Sequence, residues 1–132
     1  MKLEPVLLTA AALALAALPG AAAEKAKPAA AKCFTAEQIG GHKVGDPRTL
    51  FLKAAGATWR VDMETNCLGG VKPGDPLKIG QSAGASNGIC EPADLEVRSE
   101  LGGGGLPIRC RIDKITRLTP AQASALPKDQ QP

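Results

Sequence analysis

Aromatic residues are almost missing from this chain. Phe34, Phe51 and Trp59 are the whole supply, and there is no tyrosine. A core with so few large side chains buries little area, and small domains in that position draw on cross-links. The same scarcity argues against stacking on single-stranded nucleic acid, which needs aromatic platforms. Histidine is nearly absent too. His42 stands alone, with no Cys, Asp or Glu at ligand spacing, which favours a turn residue over a metal ligand or base. No two cysteines form Cys-x-x-Cys, which excludes a thioredoxin-like motif, haem attachment and the usual zinc ribbons. A net charge of +3 is too small to argue for nucleic acid.

Long apolar runs are limited to one, at residues 6–18, shorter than the roughly 20 residues of a comfortable membrane span. Lys2 precedes it, residues 19–20 (Pro-Gly) break it, and three alanines at 21–23 fit a small-x-small cleavage site. Residues 1–23 therefore read as a secretory signal, leaving no stable membrane anchor after cleavage. Residues 24–32 are Ala, Lys and Pro without apolar period and read as a flexible linker. The domain is expected at 33–126, with a disordered polar tail at 127–132. Localisation is then periplasmic or secreted, where four cysteines fit a pair of structural disulfides.

The organising stretch is 48–63, RTLFLKAAGATWRVDM. Leu50, Leu52 and Ala54 alternate on one side, as do Ala57, Trp59, Val61 and Met63, with Thr58, Arg60 and Asp62 turned toward water. Period two with polar residues between is the mark of a half-buried hairpin, and Gly56 suits its turn.

Elsewhere the elements are short. Thr35 to Gln38 has capping-box form and predicts a helix of one or two turns. Residues 42–47 lead into the hairpin, with Asp46-Pro47 as a turn. Leu77 and Ile79 flank Lys78 in a third strand. Leu95, Val97 and Leu101 alternate inward in a fourth. Ile108, Cys110 and Ile112 alternate in a fifth, with Arg109, Arg111 and Asp113 outward. The apolar step then changes to three at Ile115 and Leu118, which predicts a bulge or the start of a helical turn. Thr119 to Gln122 is a second capping box with Pro120 at the first helical position. The expected fold is mainly β: a small antiparallel barrel-like domain, OB-like or partly open, with short N- and C-terminal helices and two disulfides.

Four cysteines allow three pairings. Cys67 with Cys90 and Cys33 with Cys110 is the expected set, because Cys110 points inward from a strand while Cys67 and Cys90 lie in adaptable loops. Cys33 with Cys67 and Cys90 with Cys110 is the alternative.

Motifs that carry chemistry are few. Residues 80–84 match G-x-S-x-G, yet a Gly/Ser/Asn loop follows where an elbow needs a helix, and His42 lies before Ser82 rather than after it. Residues 102–105 resemble no phosphate loop, and no cofactor is expected. Carboxylates Asp62, Glu64 or Asp113 with His42 are the one enzymatic combination left. Arg109, Arg111, Lys114 and Arg117 form the best candidate interaction surface, with a solvated edge strand as its plain explanation.

The mature chain resembles a family of small exported proteobacterial proteins known only as a domain of unknown function. The matching residues are Cys33-Phe34, Ile39, Asp46-x-Arg48-Thr49-Leu50, residues 60–63, Cys67, Ile89-Cys90, and Cys110-Arg111-Ile112 followed by Ile115 and Leu118. The resemblance implies an exported domain with paired cysteines and no stated activity. The expected function is a non-enzymatic binding or accessory module of the cell envelope, whose partner is an envelope protein or ligand and not nucleic acid. The alternatives are a small periplasmic enzyme around His42, Asp62 and Glu64, and a nucleic-acid-binding barrel.

Overall fold

The computed structural model describes residues 32–100 and 106–132. The expected signal at 1–23, nearly all of the linker, Leu101 and the glycine run at 102–105 lie outside the described residues.

Among the described residues seven strands make two antiparallel sheets. Sheet 1 has the order β1 (Ile39–Asp46), β2 (Thr49–Ala54), β3 (Ala57–Met63), β7 (Ile112–Arg117). Sheet 2 has the order β4 (Leu77–Gln81), β5 (Leu95–Ser99), β6 (Ile108–Cys110). The hairpin pairs Leu50 with Val61, Leu52 with Trp59 and Ala54 with Ala57, as the alternation requires. Both turn residues have positive φ, 50° at Ala55 and 72° at Gly56, the conformation that matches the twist of two strands joined by two residues. Trp59 is buried, donates from Nε1 to the Ala54 carbonyl at 3.0 Å, and meets Phe34 with ring centroids 4.8 Å apart. Leu68, Ile89, Leu95 and Val97 complete the core against these residues. Arg48 closes the open end of the hairpin, its guanidinium donating to the carbonyls of Met63 and Glu64.

The change of period after Ile112 is a bulge. Asp62 faces Lys114 while Met63 faces Ile112, so Asp113 is the extra residue. One residue earlier the chain turns a corner. Residues 108–110 belong to sheet 2, residues 112–117 to sheet 1, and Arg111 lies between them. One chain segment thus serves both sheets, the device that joins packed sheets at a corner. Closing the roll would require β1 to pair with β4. They are the free ends of the two strand orders, so the expected barrel-like closure is not completed. Residues 71–75 and a groove of about 410 Å³ lie between them.

Several expectations are corrected. Residues 42–46, part of the expected lead-in at 42–47, instead belong to edge strand β1, which starts at Ile39 and whose register shifts near Gly40 and Gly45 hide any alternation. The N-terminal helix is only a 3-10 turn at Ala36–Gln38. Thr58 is buried rather than turned to water, as are Thr49 and Phe51 on the same outer face of sheet 1. The C-terminal segment lies by that face: after α1 (Pro120–Ala125) a 3-10 turn at Lys128–Gln130 packs on β1, and Gln130 donates to the Gly45 carbonyl at 3.4 Å. The expected disordered tail is therefore ordered. The second capping box forms as written, with reciprocal bonds of 2.9 and 3.2 Å between Thr119 and Gln122.

The disulfides take neither expected pairing. Cys33 bonds Cys90 and Cys67 bonds Cys110. The first follows from strand geometry. Phe34 and Ile89 form an antiparallel bridge with both N–H···O bonds made, at 3.2 and 2.7 Å. Their outer neighbours Cys33 and Cys90 thus stand opposite each other, with Cα atoms 4.4 Å apart. The second follows from the corner. The Glu64 N–H donates to the Arg111 carbonyl at 2.9 Å, which brings the loop after β3 alongside Cys110, buried as expected. Two disulfides belong to an oxidising, extracytoplasmic setting. Among the described residues no helix is long and apolar enough to cross a membrane.

Candidate anion-binding face

The enzymatic combination does not assemble. His42 sits on edge strand β1 opposite Leu52, while Asp62 is on β3 opposite Thr49, on the other face of the sheet and two strands away. Asp62 pairs with Arg60 at 2.9 Å and Glu64 with Arg111 at 3.0 Å. Asp113 is the bulge residue and is exposed. His42 lines the groove between β1 and β4 with Lys43, Val44, Val71, Leu77 and Asp129. Partial burial of its ring, and then Lys43, push its pKa below the ordinary value. A group so placed favours the neutral form and has no carboxylate bound to it to make it a base of raised strength.

Residues 80–84 do not form a nucleophile elbow. Gly80 and Gln81 end β4, no helix follows, and the Ser82 side chain is buried. Its backbone N–H donates to the Asp94 carbonyl at 2.7 Å and its carbonyl accepts from Ala85 at 3.0 Å, which makes it part of a turn. A serine that must meet substrate is exposed at such a turn. No group of three or more His, Cys, Asp or Glu able to hold a metal occurs among the described residues.

The expected basic surface is divided among several places. Arg117 is half-buried, with its guanidinium carbon 5.9 Å from the centroid of the Trp59 ring. Lys114 faces Asp62 across β3 and β7. Arg111 is at the corner with Glu64. Only Arg109 keeps its place in a cationic set, and its companions come from other strands. In sheet 2 Lys78 stands opposite Arg98, and Arg98 opposite Arg109. Alternation sends all three to the outer face, because their neighbours Leu95, Val97 and Cys110 are buried on the inner one.

A row of three cations directly across three strands works against the sheet, by up to about 1 kcal/mol per pair. Two carboxylates moderate it. Glu96 pairs with Arg98 and lies 3.7 Å from Arg109, and Glu100 pairs with Lys78 at 3.0 Å. Their exposures differ, however. The Lys78 side chain is 70% exposed and that of Arg109 62%, against 19% for Glu96. The Glu96 carboxylate, the least exposed of the set, engages both arginines, and each of the three cations is more exposed than either carboxylate. Gly80 faces Glu96 and has no atom within 4 Å of where a Cβ would stand. It leaves a shallow recess of about 510 Å³ bounded by Lys78, Glu96 and Arg98. The Glu96 carboxylate lines the recess itself, and it is the more exposed cations around it, with their N–H donors, that suit an anionic group, above all one with several oxygens.

Lys78 and Arg98 each show in the sequence as a polar residue between apolar ones. Nothing there aligns them, since the row depends on the registers of two strand pairs separated by long loops. No protein-family model, curated protein or solved structure matches the chain.

Proposed function

We propose that this chain is an exported, non-enzymatic binding or accessory module of the cell envelope, and that the outer face of sheet 2 is its contact surface for an anionic partner. The observation that carries the reading is the cross-strand row Lys78, Arg98, Arg109, kept at a cost to the sheet and more exposed than its own counter-charges. The disulfides and the leader-like residues 1–23 support a periplasmic or secreted location. The resemblance of the cysteine order to small exported proteobacterial proteins supports the same reading.

The test is retention of the oxidised protein on a polyphosphate resin. Retention should fall with salt, because cations that neutralise polyanion charge release counterions. Arg98→Ser with Arg109→Ser should release the protein at markedly lower salt, whereas Lys53→Ser, on the sheet 1 hairpin, should leave elution unchanged. Equal elution of all three proteins would refute the reading.

A further inference from the structure

The cationic row has apolar neighbours. Among the described residues two large hydrophobics are exposed, Leu106 at 91% and Ile108 at 44%. Ile108 directly precedes Arg109 and Leu106 lies three residues before it, and Ile108 faces Ser99, next in register to the Arg98–Arg109 pair. The side chains of Ile108 and Arg109 leave β6 on opposite sides. A surface on the outer face therefore meets Arg109, while Ile108 leaves on the side of the buried Ser99.

Leaving a leucine in water forgoes the transfer free energy that burial would supply. Single exposed leucines are common and need no explanation. Here Leu106, the most exposed large hydrophobic among the described residues, leads into the strand that carries Arg109 at the rim of the cationic face, and that placement selects among partners. A soluble polyanion engages cations and has no use for Leu106. A single-stranded nucleic acid would seek aromatic platforms, and the face has none. A phospholipid bilayer uses both parts: anionic headgroups attract basic side chains, and the headgroup–acyl boundary accepts apolar ones.

We infer that the outer face of sheet 2 docks on an anionic phospholipid surface, with lipid phosphates on Lys78, Arg98 and Arg109 and with Leu106 entering the headgroup–acyl boundary. The inference rests on the reading of this face as anion-binding. It makes the domain a peripheral protein held by a few weak contacts, since three cations and one apolar side chain provide only modest, reversible affinity.

Co-sedimentation with phosphatidylglycerol vesicles and, separately, phosphatidylcholine vesicles tests it on the oxidised chain, each variant compared with a parent carrying the same N-terminus. The protein should partition onto phosphatidylglycerol and not onto phosphatidylcholine. Removing each cation (Lys78→Ser, Arg98→Ser, Arg109→Ser) should lower the partition coefficient about fivefold. Leu106→Ser, at a position too exposed to affect folding, should lower it by a similar factor of about five. In L106W, the new indole should shift its emission to the blue on phosphatidylglycerol vesicles. Equal binding to both vesicle types, or phosphatidylglycerol binding indifferent to Leu106→Ser, would overturn the inference. Retention on polyphosphate without vesicle binding would overturn it and leave the anion-binding reading standing. Loss of both would remove both.

Discussion

The two sheets solve different problems. Sheet 1 is covered on its inner side and partly on its outer side. Leu50, Leu52, Trp59, Val61 and Met63 fill the core, and Phe51, Thr49 and Thr58 are buried on the reverse, beside the ordered C-terminal segment. Sheet 2 is short, supplies Leu95 and Val97 to the core, and keeps a charged outer face open to solvent. Both disulfides run between these territories. Cys33, ahead of β1, reaches Cys90 between β4 and β5, and Cys67, just after β3, reaches Cys110 at the end of β6. The comparison teaches that packing stabilises sheet 1 largely by itself, while covalent ties and a shared strand hold sheet 2 in place. A sheet that is not asked to hide its outer face is free to use that face for contact.

The strongest way to break this comparison is to cut the ties. Full reduction should unfold or severely destabilise the protein. In the loop-entropy model each bridge contributes about 4 kcal/mol, and removing a native bridge from a small exported domain costs about 2–5 kcal/mol. The bridges cross in sequence, so the two values do not simply add. Hydrogen exchange after mild reduction should rise first in β4, β5 and β6 and last in β2 and β3. Uniform acceleration across both sheets would show that the division is wrong.

Next in size is Trp59→Ala, which empties the centre of sheet 1. It removes the ring that packs on Phe34 and the bond to the Ala54 carbonyl. A loss of about 3–5 kcal/mol is expected in denaturant unfolding. A loss no larger than that of an exposed residue would place the core elsewhere.

Two glycines sharpen the contrast between the outer faces. A Cβ at Gly45 would stand 2.7 Å from Phe51 Cε2 and 3.4 Å from Gln130 Oε1. Gly45→Ala should therefore cost about 1–3 kcal/mol by crowding the covered face of sheet 1. Gly80→Ala meets nothing on the open face of sheet 2. It should be neutral or stabilising by up to about 1 kcal/mol, as a strand glycine replaced without a clash. Equal melting shifts for the two would erase the distinction.

The smallest effect is electrostatic. The Arg48 N–H, donating at 2.7 Å, holds the Asp46 carboxyl below its ordinary value of 3.8. A group depressed in the folded state adds stability above its unfolded pKa, and that stability is lost as pH falls through the folded value. Asp46 is exposed, so solvent screens the effect. The parent should lose slightly more Tm than Asp46→Ala on acidification below about pH 4, and an identical acid slope for the two would show that the turn bond contributes nothing.

The hairpin was legible in the sequence because its information is local. Alternation over 50–63 names the buried side, and Gly56 marks the turn. The Thr119–Gln122 box was legible for the same reason, since its four residues satisfy one another. Edge strand β1 was not, because three glycines and two register shifts erase its period. The tail at 127–132 looked free because nothing in its composition announces that Gln130 meets Gly45, 85 residues away.

By itself, then, the amino-acid sequence determined a β domain built on one hairpin, its buried side, its turn chemistry and its need for cross-links, all properties carried by neighbours in the chain. Only the tertiary structure decided which cysteines meet and which cations align. Cys33 reaches Cys90 because Phe34 and Ile89 pair as strands, and Cys67 reaches Cys110 because the corner at Arg111 brings the loop after β3 alongside it. Lys78, Arg98 and Arg109 form one row because two strand registers agree. In a β fold the side chains that act together sit on different strands, so their meeting is set by register and closure, which residue order alone does not specify.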